Sequence, residues 1–235
     1  TVARDGTNTI DPTAYNWPAD TRGTVNLGKS LTADDFAIRT AKSANTITAR
    51  VIGVIENQAA TKALNAELSV KEGLVQGDTN QDVCQIALVE RHRATGDVTN
   101  GFVSGFNYRG DMAIASTVAH DSHHMIVIGT KRETMASAAN RLGEVGGGIC
   151  VFKDGKELSM IELPIAGLMS DQSAADVAKA ADQMIAAMAD CGCTLNNAYM
   201  QHSLLALVVI PELRISDLGL IDSTKFEITP LFVQD

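Results

Sequence analysis

Apolar and β-branched residues are scattered before Thr46 and gather into short runs after it. Thr46 to Glu56, Ala66 to Gln76, Val83 to Arg91, Gly101 to Tyr108, Met112 to Ala119 and Met125 to Gly129 have strand length and composition, with a turn at Glu72-Gly73. The period then changes. From Arg132 to Val145, Met135, Ala139 and Leu142 recur at helical spacing, and Gly146-Gly147-Gly148 supplies a C-terminal stop. Ile149 to Leu163 predicts a hairpin, because Lys153-Asp154-Gly155-Lys156 sets Asp-Gly between two alternating runs. A second helix is capped by Asp171 or Ser173, presents Val177, Ala181, Met184 and Met188 on one face, and closes at Gly192. Its methionine stripe predicts core rather than a cofactor contact. The tail predicts two more strands, Leu204 to Ile210 and Phe226 to Val233, joined by a segment containing Pro211-Glu212-Leu213 and Leu218-Gly219.

Long runs of strands broken by helices that do not alternate with them predict an α+β domain: a largely antiparallel β-sheet with two main helices. A doubly wound dinucleotide fold is disfavoured, because a phosphate-binding glycine loop opens a helix and Gly146 to Gly148 closes one. Residues 1–45 are polar and turn-rich, with Asp11-Pro12 and Trp17-Pro18 marking extended or turning backbone and Leu31 to Arg39 weakly patterned. They are expected to form a linker packed on a neighbouring domain or chain, leaving residues 46–235 as the α+β domain. Arg4-Asp5-Gly6 looks like a hairpin turn after a strand that is nearly absent, which suggests a start partway through a longer polypeptide.

With 235 residues, 45% of them hydrophobic, the chain can bury a substantial core. A net charge of -9 without clusters of Lys and Arg argues against nucleic-acid binding and favours a small or uncharged partner. No apolar run approaches the roughly 20 residues that cross a bilayer, so no membrane span is expected. Four cysteines without a regular framework suggest the reducing cytoplasm. Cys191-Gly192-Cys193 has no second Cys or His pair at finger-like spacing and is read as ordinary buried cysteine rather than a metal site.

Candidate chemistry concentrates in Ala119-His120-Asp121-Ser122-His123-His124, a polar cluster between two apolar strands. An extended backbone would put His120, Ser122 and His124 on one face and Asp121 and His123 on the other. A bend would instead let Asp121 orient an imidazole and favour its protonated form. Four uses compete: metal binding, acid-base catalysis, contact with a ligand of a neighbouring domain, and plain hydrogen bonding at a strand junction. Metal binding by this chain alone is disfavoured, since His-Glu-x-x-His is missing. His92 looks like an exposed residue at a strand end. The Ser203 hydroxyl, after His202, is equally suited to contacting a ligand and to capping its own backbone. Neither a Gly-x-Ser-x-Gly elbow nor the His-x-Glu and Pro-Cys-x-x-Cys pair of cytidine-type deaminases occurs.

Taken together, several stretches resemble the C-terminal region of adenine deaminases of the amidohydrolase type. They are Leu31-Thr32-Ala33-Asp34-Asp35-Phe36, Arg50-Val51-Ile52-Gly53-Val54-Ile55, Val89-Glu90-Arg91-His92, Ser116 to His123, Asn140-Arg141-Leu142, Leu163 to Ser170, Ile210-Pro211-Glu212-Leu213 and Lys225-Phe226-Glu227. The resemblance implies hydrolytic deamination of adenine to hypoxanthine and ammonia by a hydroxide that Mn2+ or Fe2+ activates. Those metals would sit in an N-terminal barrel whose His-x-His motif does not occur here. It further implies that this domain packs against the missing barrel, that Ser203 and Ser122 contact the purine, and that His120, Asp121 and His123 support catalysis. His124 stands where the family pattern has Asn, and His202 where it is apolar. Expected partners are adenine, the barrel of the same enzyme and, in a homo-oligomer, further copies; nucleic acid and membrane are not. Two other readings remain: a stand-alone purine-binding module without catalysis, and an amidohydrolase for another purine or cyclic amide. Sequence upstream of Thr1 discriminates the first of these.

Overall fold

The computed structural model describes residues 2–10 and 15–233. The expected bend at Asp11-Pro12 lies outside them. The chain opens on a hairpin of β1 (Ala3–Arg4) and β2 (Thr7–Asn8), whose turn residues Asp5 and Gly6 have φ of 52° and 77°, as a two-residue turn requires. The strands β3 (Thr46–Val54), β4 (Thr61–Lys71), β5 (Leu74–Val75), β6 (Val83–Val89), β7 (Val98–Ser104), β8 (Met112–Ser116) and β9 (Met125–Gly129) come next. Helix α1 (Arg132–Val145), the hairpin β10 (Gly148–Lys153) and β11 (Lys156–Glu162), and helices α2 (Ala174–Asp190) and α3 (Ala198–Leu204) follow. A meander of β12 (Leu213–Ser216), β13 (Gly219–Asp222) and β14 (Glu227–Thr229) ends the chain.

Nine strands form one mixed sheet in the order β11-β10-β8-β9-β6-β7-β3-β4-β5, antiparallel except where β3 meets β7. The fold is α+β, as the pattern predicts. Its central strands are apolar at nearly every position because both faces are covered. Ile86, Leu88, Ile114, Ile126 and Ile128 face α2, α3 and the meander, packing with Met184, Met188, Leu205 and Ile215. The alternate positions Ala87, Ala113, Ala115 and Val127 face α1, where Ala138, Ala139 and Leu142 meet them. Alanine on both sides of that contact leaves room for the helix to lie close to the sheet. Each large aliphatic side chain so buried contributes about 1.5–3 kcal/mol.

Helix α1 spans the predicted range and ends at Gly146, whose φ of 80° suits a residue without Cβ and whose N–H donates to the Leu142 carbonyl. At Gly147 (φ +116) a Cβ would lie 2.5 Å from the Gly167 Cα, so this turn also needs glycine. For α2 the choice of cap resolves to Ser173, which accepts the Asp176 N–H at 3.2 Å, while Asp171 pairs with Arg22 at 2.8 Å. Val25, Leu27, Leu31 and Phe36 pack into the α1 cluster, and the Asn140 amide clamps the Leu31 backbone, accepting its N–H and donating to its carbonyl at 2.8 Å each.

The tail departs from expectation. Leu204 to Ile210 is not a strand: α3 ends at Leu204 and the chain turns, with the Leu207 and Ile210 N–H groups donating to the Leu204 and Leu207 carbonyls. Apolarity there reflects burial of Leu205 and Ala206 in the core rather than sheet pairing. The fully buried Arg214 holds the turn, donating to the carbonyls of Leu204, Ile210, Pro211 and Ala59. Strands β12 and β13 occupy what reads in sequence as a connector, and the expected strand Phe226 to Val233 shortens to β14. Residues 231–233 then run beside β3, through the Arg50 N–H to Leu231 and the Val233 N–H to Thr48.

Candidate functional site

Strand β6 delivers Glu90, Arg91 and His92 in succession at the end of the sheet. Glu90 is buried, and its carboxylate accepts the backbone N–H groups of His92 (2.5 Å), Arg93 (2.8 Å) and Thr95 (3.2 Å), which folds the chain back toward β7. Burial alone would raise its pKa, but those donors outweigh it and hold the carboxyl below its ordinary value. Arg91 is 1% exposed, and its guanidinium donates to the carbonyls of His123 (2.5 Å), Ala166 (3.1 Å) and Thr24 (3.3 Å). One buried cation thus ties three separate loops together.

The largest of these ties holds the loop between β8 and β9. The extended alternative for His120 to His124 fails: the His123 N–H donates to the Ala119 carbonyl at 2.7 Å and His123 has φ 52°, so the segment turns. The turn brings the His120 and His123 rings into edge contact at 5.4 Å and leaves Asp121 and Ser122 exposed. Asp121 makes no hydrogen bond to an imidazole among the described residues. Burial, then the neighbouring His120 and Arg91, push the His123 pKa below its ordinary value, and the opposing field of Asp121 does not reverse this. The protonated form expected of a carboxylate partner is therefore disfavoured.

His124 points the other way, into the end of the sheet. Its ring lies 4.8 Å from that of His92, with Nδ1 3.9 Å from Glu90 and Nε2 3.7 Å from Asp217. Burial depresses its pKa and Asp217 partly compensates. His92, exposed as predicted, also meets the Ser122 carbonyl at 2.9 Å and so braces the loop. Glu90, His92, Arg93, His124 and Asp217 line a cleft of about 490 Å³. An adjoining groove of about 390 Å³ runs from Asp121 and Ser122 along Val209, Leu218, Phe226 and Ile228.

Ser203 lies beneath the loop. Its carbonyl accepts the His120 N–H at 3.0 Å, and its buried hydroxyl donates to the Met200 carbonyl at 3.0 Å, the self-capping one of its two sequence-compatible uses. His202 lies apart from the cluster, in the core and edge-on to Phe106. All four cysteines are free and buried, and burial pushes the Cys84 and Cys191 thiols up to about 12 and about 11. Among the described residues no three His, Cys, Asp or Glu side chains converge so as to hold a metal ion, and no helix is long and apolar enough to cross a membrane.

Residues 58–227 match the family model described as the adenine deaminase C-terminal domain. The chain belongs to the adenine deaminase family. It is 68% identical to the adenine deaminase of Roseobacter denitrificans over 98% of the chain and 38% of that protein. With the adenine deaminase of Ruegeria pomeroyi it shares 68% identity over 96% of the chain and 38% of the relative. The identity with that of Clostridium botulinum is 41%, over 100% of the chain and 39% of the relative. The chain therefore spans about two-fifths of these adenine deaminases, and the larger part of each, ample for an amidohydrolase barrel, lies outside it.

Within this adenine deaminase domain, four of the predicted site residues, His120, Asp121, Ser122 and His123, share one turn, and the fifth, Ser203, lies under it. What sequence reasoning passed over is the support: Glu90 as an organiser of backbone, Arg91 as the clamp and Asp217 as the neighbour of His124. A signal existed for the first two, since a block of four charged or titratable residues, Glu90 to Arg93, directly follows a strand buried at every position.

Proposed function

We propose that the chain completes the active site of a longer, cytoplasmic adenine deaminase that converts adenine and water into hypoxanthine and ammonia. The observation that supports this is the clamped turn His120 to His123, which exposes Asp121 and Ser122 beside two imidazoles in ring contact, in a domain of the adenine deaminase family. A buried arginine spent on holding a loop by three carbonyls suits a loop whose shape matters. His120 and His123 take up and return protons as water adds to the amino-bearing carbon and ammonia departs. The depressed pKa of His123 keeps it neutral near pH 7, the form that accepts a proton. Asp121 adds negative charge beside them. Ser122, presented by the turn, and Ser203, whose oxygen keeps acceptor capacity after donating to Met200, contact the purine.

The Mn2+ or Fe2+ of the complete enzyme does not fit the described residues, which offer no converging ligand set. We assign it to the barrel outside this chain. Ser122→Ala and Ser203→Ala in the full-length protein test the substrate contacts. Each should lower kcat/KM for adenine by about tenfold, the scale of one hydrogen bond worth about 1.4 kcal/mol. An unchanged kcat/KM would remove that serine from the site.

A further inference from the structure

Large apolar side chains cluster on the surface beside the candidate site. Phe226 (80% exposed) and Leu218 (73%) are the two most exposed large apolar side chains among the described residues, and Val209 (62%) and Ile228 (58%) join them in the same groove. They come from three different turns: the segment after α3, the β12–β13 turn and the β13–β14 hairpin. Phe226 also holds φ +54, a conformation in which a bulky residue is disfavoured and Gly or Asn would be at ease. An aromatic residue placed there, projecting into solvent, buries little of its surface against the described residues. Contiguous exposed apolar surface of this kind marks a covered interface.

We propose that this groove is the seat on which the preceding portion of the full-length adenine deaminase docks. The inference rests on the reading of the chain as one part of that longer enzyme, and three observations select this occupant. The relatives carry most of their length outside the matched region, so a partner long enough to cover the groove is at hand in the same polypeptide. The groove is continuous with the candidate site, since Asp121 and Ser122 form one of its walls; a body seated on Phe226 and Leu218 therefore reaches the His120 to His123 turn. Its rim is acidic, with Asp121, Asp217 and Glu227, whereas Lys225, next to Phe226 in sequence, is already engaged by Asp222 and Glu227 at 3.1 Å and 3.6 Å. The docking face is accordingly apolar with basic side chains at its edge. A second copy of this chain would bring the same carboxylates against one another.

Photo-cross-linking in the full-length protein tests this. Benzoylphenylalanine is placed at position 226 and, as a control, at position 185, an exposed isoleucine of α2 outside the groove. After irradiation and digestion, position 226 should give a cross-link within one polypeptide to a peptide preceding this domain, in yield several times that of the control. A product of dimer mass, or position 226 reacting no more than position 185, would overturn the proposal. Because the readout is a mapped peptide mass, it stands or falls independently of whether the protein deaminates adenine.

Discussion

The imidazole of His202 is fully buried in the core on the α2 side, with neither ring nitrogen hydrogen-bonded among the described residues, and burial pulls its pKa down to about 3. The folded protein therefore refuses a proton that the unfolded chain accepts below about pH 6.5. Stability is complete above that value and is lost as the pH falls toward 3, by about 2 kcal/mol at pH 5. Urea unfolding at pH 7 and pH 5 checks this: replacing His202 with leucine should make the drop between the two about 2 kcal/mol smaller. Equal drops in both proteins would contradict it. Arg91 is the opposite case, a buried cation whose three nitrogens all donate. Arg91→Leu leaves the carbonyls of His123, Ala166 and Thr24 without their donor and should cost at least about 3 kcal/mol, at about 1 kcal/mol or more per orphaned group. Loss of less than about 1 kcal/mol in the same unfolding assay would mean that the loops hold together without the clamp.

Elements differ in how much of their stability is local. Helix α2 has an exposed first turn whose cap is Ser173, so Ser173→Ala should lower stability by about 1 kcal/mol in thermal or urea unfolding. Strands β6, β8 and β9, buried at every position, should exchange amide hydrogens most slowly, and the exposed hairpin β1–β2 fastest. The same division explains what sequence can convey. Strand β9 and helix α1 were legible to the residue, because Met125 to Gly129 is an unbroken apolar run and Met135, Ala139 and Leu142 repeat at 3.6. The run Leu204 to Ile210 misleads, because its order comes from the guanidinium of Arg214, a few residues beyond it, and from core contacts, neither of which a local period encodes. Strands β12 and β13 have four residues each and escape for want of any window in which alternation could show. In the candidate site the cluster of histidines was visible, but its bend was not. That bend depends on Arg91, which is 32 positions away along the chain, and on the carbonyl of Ser203.

At the scale of the whole molecule, a three-layer domain sets one long sheet between α1 with residues 25–36 on one side and α2, α3 and the meander on the other. Its loops at one end converge on the His120 to His123 turn, next to an uncovered apolar groove. On the function proposed for it, this turn moves protons and holds a purine, and the metal is assigned to the part of the enzyme outside the chain. The direct test is kcat/KM for adenine in the full-length protein with His120→Ala and His123→Ala together, with metal content and thermal unfolding measured alongside. Given general acid-base catalysis by these rings, the account predicts a fall of about a hundredfold or more with metal content and unfolding temperature unchanged. An unchanged kcat/KM in the folded, metal-loaded variant would contradict it.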